Sequence, residues 1–203
     1  AMMEHGELAQ ALPALAEAAR TVGSPQIRAA GSLGGNLGTC SPAGDSLPVL
    51  SALDAVIHLQ SETASRSVAF ADFMVGPKKT SRLPNEIISG VTIPLINGWQ
   101  GYAKVGVRNA MVISIASVCL AIHDGNVRVA LGSVGPTIIR GSESEAWINS
   151  VGLENVDLSV AKEFGERVRA ESRPINDHRS TAEYRRHAVG VLATRLLLRG
   201  IQK

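Results

Sequence analysis

Cysteine is almost missing from this chain of 203 residues: Cys40 and Cys119 are the only 2. They form no Cys-x-x-Cys pattern, so neither a zinc ribbon nor a disulfide framework is indicated, and a reducing cytoplasm suits such a chain. Aromatics make up 3% of the residues, too few for a base-stacking platform, which argues against nucleic acid as a partner. Neither sign of charge dominates: 20 Lys and Arg stand against 18 Asp and Glu, a formal charge of +2, so net charge implies no patch for nucleic acid or membrane. The longest apolar run, residues 111–122, is too short to span a bilayer and carries Ser114 and Ser117. No signal peptide is expected. The histidines His5, His58, His123, His178 and His187 are scattered without metal spacing, and no Gly-x-Ser-x-Gly elbow exists. Asp177-His178 resembles an acid–base pair, but adjacent residues usually point apart. These absences suit a protein whose chemistry belongs to a bound cofactor.

What the chain does have is apolar content of 45%, enough for one large or two small cored domains, and one glycine-rich stretch. Residues 27–38 read Ile-Arg-Ala-Ala-Gly-Ser-Leu-Gly-Gly-Asn-Leu-Gly, with four glycines between 31 and 38. Glycine admits positive φ and leaves no Cβ in a ligand's way, and successive free N–H groups form a nest for anionic oxygens. Ser32 and Asn36 add side-chain hydrogen-bond partners. The Walker loop is excluded because no lysine is near. The dinucleotide fingerprint is excluded because Leu33 and Asn36 occupy the wrong places. On composition alone, a structural turn and a phosphate cradle stand level.

Along the chain, residues 7–22 read as a helix, with Pro13 in the first turn of its main part and Gly23 and Pro25 as the stop. Asp45 or Ser46 is expected to cap a short helix with Pro48 in its first turn. Residues 55–60 and 66–70 read as paired strands, residues 71–73 as a short helical piece, and residues 86–93 as a strand stopped by Pro94. Lys78 and Lys79 read as solvated charge. Asn97-Gly98 marks a domain boundary. Beyond it, residues 99–134 read as a three-stranded antiparallel sheet, because Asp124-Gly125 between two runs of period-two alternation is a strong hairpin signal. Helices follow: residues 143–150; one capped by Asp157 or Ser159 with Val160, Phe164 and Val168 on one face; and one opened by a capping box from Ser180 to Glu183 and closed by Gly200. Arg185 and Arg186 are read as pairing with Asp177 or as solvated.

The ordered set of short motifs resembles the flavin-binding subunit of the molybdenum hydroxylases, the xanthine dehydrogenase and carbon monoxide dehydrogenase family. It runs from Gln26-Ile27-Arg28 and Ser32-Leu33-Gly34-Gly35-Asn36 through Ser41-Pro42-Ala43-Gly44-Asp45. It continues through Phe73 to Thr80, Asn85-Glu86-Ile87-Ile88, Gly101 to Arg108 and Ala130 to Thr137, and ends on Pro174 to Arg186. The resemblance implies an α+β fold: the second subdomain of the FAD-binding type 2 (PCMH-like) fold over residues 1–97, then a C-terminal flavoprotein domain over residues 98–203 with its sheet on a helical bundle. It implies FAD as cofactor, held by Ser32, Leu33, Gly34, Gly35 and Asn36, with Asp45 on the nucleotide, Ile88 packed near the ring and Lys104 beside the flavin. Val22 stands where some relatives carry an aromatic. It also implies an iron–sulfur subunit and a molybdenum-cofactor subunit as partners, and NAD or another acceptor for the electrons. The family's earlier Ala-Gly-Gly-Thr flavin loop is not in this chain, so the chain is expected to be inactive alone. A flavin-free structural or interaction module derived from the family is the alternative.

Overall fold

The computed structural model describes residues 6–202. The first helical stretch is two helices, α1 (Gly6–Ala11) and α2 (Pro13–Thr21). Pro13 has no N–H to continue α1, but its fixed φ suits the first turn of α2. Ala14, Leu15, Ala16, Ala18 and Ala19 of α2 are buried. Ser24 caps α3 (Pro25–Ala30), its hydroxyl accepting from Ile27 N at 3.3 Å.

The glycine-rich stretch departs from an open turn. Ser32 caps a short helix, α4 (Leu33–Thr39), and none of its glycines lies at positive φ. The left-handed residue is Cys40, at the C-terminal end, with φ 49°. Helix α5 (Leu47–Ala52) has Pro48 in its first turn as expected, yet neither candidate side chain caps it. Ser46 stands at the cap position, but its hydroxyl donates to Asn36 Oδ1 at 2.6 Å.

Strand β1 (Val56–Gln60) lies between β2 (Ser65–Ala69) and β5 (Ile87–Thr92), antiparallel to both. Between β2 and β5 come α6 (Phe70–Phe73) and a small hairpin of β3 (Met74–Gly76) and β4 (Lys79–Thr80). Ile57 and Leu59 of β1 pack with Leu37, Leu47, Leu50, Phe70 and Phe73. Arg66 ties β2 to the segment before β5 through a two-pronged pair with Glu86, Nε to Oε1 at 2.7 Å and Nη2 to Oε2 at 2.9 Å.

The second half is built on β6 (Gly98–Val105), β7 (Ala116–His123) and β8 (Asn126–Gly132). A fourth short strand, β9 (Ile139–Arg140), adds to the three expected by pairing with Ala130 and Leu131 of β8. The β7–β8 turn puts Asp124 at φ 47° and Gly125 at φ 79°, the left-handed pair that an Asp-Gly hairpin turn needs. One face of this sheet, with Val118, Leu120, Ile122, Val129 and Leu131, packs on α7 (Ser142–Val151), α8 (Leu158–Glu171) and α9 (Ala182–Ile201). The other face carries small residues, Cys119, Ala121 and Ala130, which admit Leu15 and Ala18 of α2, Val49 of α5 and Leu53 just after it. Strand β7 is therefore buried on both faces, which is why its apolar run lacks a polar side.

Asp157 caps α8, accepting from Val160 N at 2.8 Å. The cap of α9 is Thr181, not Ser180: its Oγ1 accepts from Tyr184 N at 3.2 Å, and since Tyr184 rather than Glu183 then stands at the third helical position, the expected box gives way to a single cap bond. Gly200 does not end α9, which runs through Ile201. A Cβ on Gly200 would come within 2.8 Å of the Trp99 ring. Among the described residues, no helix is long and apolar enough to cross a membrane.

Candidate functional site

Two neighbouring cavities lie where α2, α3 and α4 meet the end of β6. The smaller, about 660 Å³, is lined by Val22, Arg28, Ser32, Leu33, Gly35, Asn36 and Ser46, among others. The larger, about 1030 Å³, is lined by Thr21, Arg28, Tyr102, Lys104 and residues 106 and 108–112, among others. Arg28 belongs to both walls.

At the head of α4, the Ser32 hydroxyl accepts from Gly35 N at 3.0 Å and the Ser32 carbonyl from Asn36 N at 3.1 Å. Among the described residues, the N–H groups of Leu33 and Gly34 donate to no protein acceptor. Of the four amides of residues 33–36, two are thus engaged internally and two are open. A Cβ built on Gly34 would meet nothing within 4 Å, so this surface is bare. The 41–46 turn closes against Asn36 because Gly44 has no side chain: a Cβ there would lie 3.0 Å from the Asn36 amide nitrogen. Leu33 turns its side chain toward the core, where it packs with the same cluster as Ile88 of β5.

Behind the cavities sits a buried charge pair. Asp45 Oδ2 is 2.7 Å from Lys104 Nζ, and both side chains are less than a tenth exposed. Lys104 also donates to Thr21 O at 2.8 Å and Val112 O at 3.2 Å, so its ammonium hydrogens are all engaged. Tyr102 donates its hydroxyl to Asp45 Oδ1 at 2.9 Å, and Thr21 Oγ1 lies 3.3 Å from Oδ2. Burial pushes the Asp45 carboxyl above its ordinary value, against the opposing charge and hydrogen bond of Lys104. Burial pushes the Tyr102 phenol well up, and the Asp45 charge adds to it. The cluster joins the end of α2, the 41–46 turn, β6 and residue 112.

The expected ligands fall into distinct places. Ser32, Leu33, Gly35 and Asn36 line the smaller cavity and Lys104 the larger. Gly34 faces out beside them, Asp45 lies behind the walls, and Ile88 packs in the core that supports α4. Thr21, Tyr102 and Arg28 join the site; Arg28 and Tyr102 belong to the motif set, but none of the three is among the expected ligands. Tyr102 is one of 2 tyrosines in an aromatic-poor chain, and Arg28 follows Gln26-Ile27, but no local pattern marks either as a cavity residue. Asp177 does not couple to His178; it accepts from Arg185 Nη2 at 2.7 Å and from the N–H groups of Arg179 and Ser180. Both thiols are buried. Burial pushes Cys40 up to about 11 and raises Cys119 too, which suppresses thiolate chemistry. Among the described residues, no three His, Cys, Asp or Glu side chains group as metal ligands.

Comparison with known proteins bears on both halves. Residues 1–96 match the family model described as the FAD binding domain in molybdopterin dehydrogenase. Residues 102–199 match the one described as the CO dehydrogenase flavoprotein C-terminal domain. The chain is 36% identical over 186 residues to the glyceraldehyde dehydrogenase medium chain of Sulfolobus acidocaldarius, covering 89% of this chain and 65% of that one. It is 34% identical over 196 residues to the nicotine 6-hydroxylase medium subunit of Paenarthrobacter nicotinovorans, covering 94% and 68%. Among solved structures, reconstituted CO dehydrogenase from Oligotropha carboxidovorans superposes with a TM-score of 0.88 at 26% identity, covering 99% of this chain and 71% of that one. The chain spans about two thirds of the length of the relatives it matches.

Proposed function

Because this chain belongs to the family of FAD-binding medium subunits of the molybdenum hydroxylases, we propose that it is the flavoprotein part of an oxidoreductase complex. In this reading an iron–sulfur subunit, itself fed by a molybdenum-cofactor subunit, delivers electrons to FAD, and NAD or another acceptor removes them. The chain by itself oxidises no substrate, since the substrate site lies on another subunit. The complex works in a reducing compartment, the cytoplasm, in keeping with two free thiols.

The observation that carries the reading is the pair of unengaged amides on a bare glycine surface beside a cavity. A dinucleotide diphosphate offers the acceptors those donors lack. FAD, when bound, supplies a ring that takes up and releases electrons in ones or twos. The chain's own residues do the rest. Leu33 and Gly34 present N–H groups to the diphosphate, Ser32 keeps the helix start in shape, and Asn36 is fixed by Ser46. Gly35 keeps the surface low. Ile88 packs behind α4. Asp45, behind the wall, anchors Lys104 and Tyr102, and Lys104 holds Thr21 and Val112 so that the cavity wall stays in place for the flavin.

Titrating the purified chain with FAD, and then the protein at the full length of its relatives, tests this. The longer form should bind and shift the flavin's visible absorption; a longer form that leaves FAD unchanged overturns the reading. It would favour instead the flavin-free module, for which the self-contained Asp45–Lys104 pair is the supporting observation.

A further inference from the structure

The Asn36 carboxamide has one donating and one accepting end, and the turn before α5 decides which of them is left free. Ser46 Oγ lies 2.6 Å from Asn36 Oδ1. That is an O–H···O distance, short for an amide N–H donor, so the hydroxyl donates and the carboxamide turns its oxygen to Ser46. The serine gives up another bond to do this: it stands at the cap position of α5, yet its side chain caps nothing there. The carboxamide lies across Gly44, where a Cβ would stand 3.0 Å from its nitrogen and 3.1 Å from its oxygen. Asn36 Nδ2 donates to no acceptor among the described residues, and it is not sealed from solvent.

Asn36 and Ser46 both line the smaller cavity. Among the described residues, that lining holds no carboxylate, and its one charged side chain is the cation Arg28. The open N–H groups of Leu33 and Gly34 lie on the preceding turn of the same helix. A third unengaged donor beside them, with no acid near, suits an anionic oxygen.

We propose that Ser46 is a positioning residue for the cofactor: by holding Asn36 Oδ1 over the bare Gly44, it leaves Nδ2 to donate to an oxygen of the flavin nucleotide's diphosphate. The inference rests on the flavin reading above and adds to it a residue that stands just outside the motif ending at Asp45.

The test uses the protein at the full length of its relatives, with the variants Ser46→Ala, Asn36→Ala and Asn36→Asp and the double variant of Ser46→Ala with Asn36→Ala. Each is titrated with FAD, ADP and riboflavin by calorimetry and melted without ligand. Ser46→Ala frees the carboxamide to turn, so FAD binding is expected to weaken about fivefold, with a like loss for ADP and none for riboflavin. In the Asn36→Ala background the serine change is expected to cost nothing further, because the group it holds is gone. Asn36→Asp keeps the bond to Ser46 but presents a charged oxygen to the diphosphate, and is expected to bind more weakly than Asn36→Ala. Parent-like FAD affinity in Ser46→Ala overturns the proposal. So does an equal loss in the Asn36→Ala background, which marks an effect of Ser46 that does not pass through Asn36. A loss for riboflavin without one for ADP, or Asn36→Asp binding as well as Asn36→Ala, overturns it too. Should Ser46→Ala fail to fold, Gly44→Ala, whose Cβ crowds the same carboxamide, is read through the same cycle. A parent protein that binds no FAD instead overturns the flavin reading, and the proposal with it.

Discussion

At the scale of the residue, Asp45 and Lys104 are the pair on which the site's geometry depends. Lys104 bridges three segments, and Asp45 is buried with no other cation on it. Removing one partner of a buried pair strands the other charge, whereas replacing both with apolar groups of similar size is often close to neutral. Lys104→Met should therefore lose about 3–5 kcal/mol in urea unfolding, and Asp45→Leu with Lys104→Met should recover most of it. Two carboxylates held by hydrogen bonds, Asp177 and Glu86, shape the response to acid. Burial raises Asp177, but the Arg179 and Ser180 N–H groups and the Arg185 guanidinium outweigh it and hold it at about 2. The hydrogen bond from Arg66, then that from Leu83 N, lowers Glu86 to about 2. Both folded values lie below the ordinary 3.8 and 4.5. Their contribution is thus complete above that ordinary range and is lost as pH falls through it toward 2. Asp45 has the opposite sign: its raised value favours the proton in the folded state, a contribution lost as pH rises through the folded value. Urea midpoints measured from neutral pH downward should fall most steeply below about pH 4, and Asp177→Asn should flatten that slope.

At the scale of the element, the crossing of α8 and α9 depends on bare backbone. A Cβ on Gly165 would lie 2.6 Å from Gly190 O and would also strike the Thr194 hydroxyl, and one on Gly190 would lie 2.9 Å from Gly165 O. Neither helix can shift alone, because Phe164 and Val168 of α8 and Val189 and Ala193 of α9 share the core beneath the sheet. Gly165→Ala should cost about 1–3 kcal/mol by overpacking, despite alanine's better helix propensity, and thermal or urea unfolding reads it directly. The last turn of α9 is governed in the same way. Glycine commonly ends helices, yet α9 continues past Gly200, whose role is to admit the Trp99 ring.

At the scale of the whole molecule, the proposed division at Asn97-Gly98 separates two sheets but not two cores. Leu15, Val49 and Leu53 from before it pack with Tyr102, Cys119 and Ala130 from after it. Arg140 Nη1 reaches Asp54 at 2.7 Å, and Ser133 N donates to Pro42 O at 2.8 Å. Elements that share buried apolar surface unfold together. Urea unfolding should show one transition, coincident between far-UV circular dichroism and the fluorescence of Trp99 and Trp147, both of which lie after the division. Separated transitions would show that the halves are independent.

What the sequence determined by itself was carried by near neighbours. Pro13 restarting a helix, Asp124-Gly125 turning a hairpin and Asp157 capping α8 each act within a few residues, so local pattern sufficed. The family could be read because short motifs survive in order along the chain. Local pattern left open whether the glycine stretch is a turn or a capped helix and pointed to Ser180 where Thr181 caps α9, and the pairing that adds a fourth strand to the sheet lies beyond it. Tertiary structure alone brought Lys104 to Asp45 across 59 positions, and Arg28 to the seam of two cavities. Those contacts exist because small side chains on one face of a sheet let α2 and α5 approach closely. Such proximity is a property of packing in three dimensions, and no spacing along the chain encodes it.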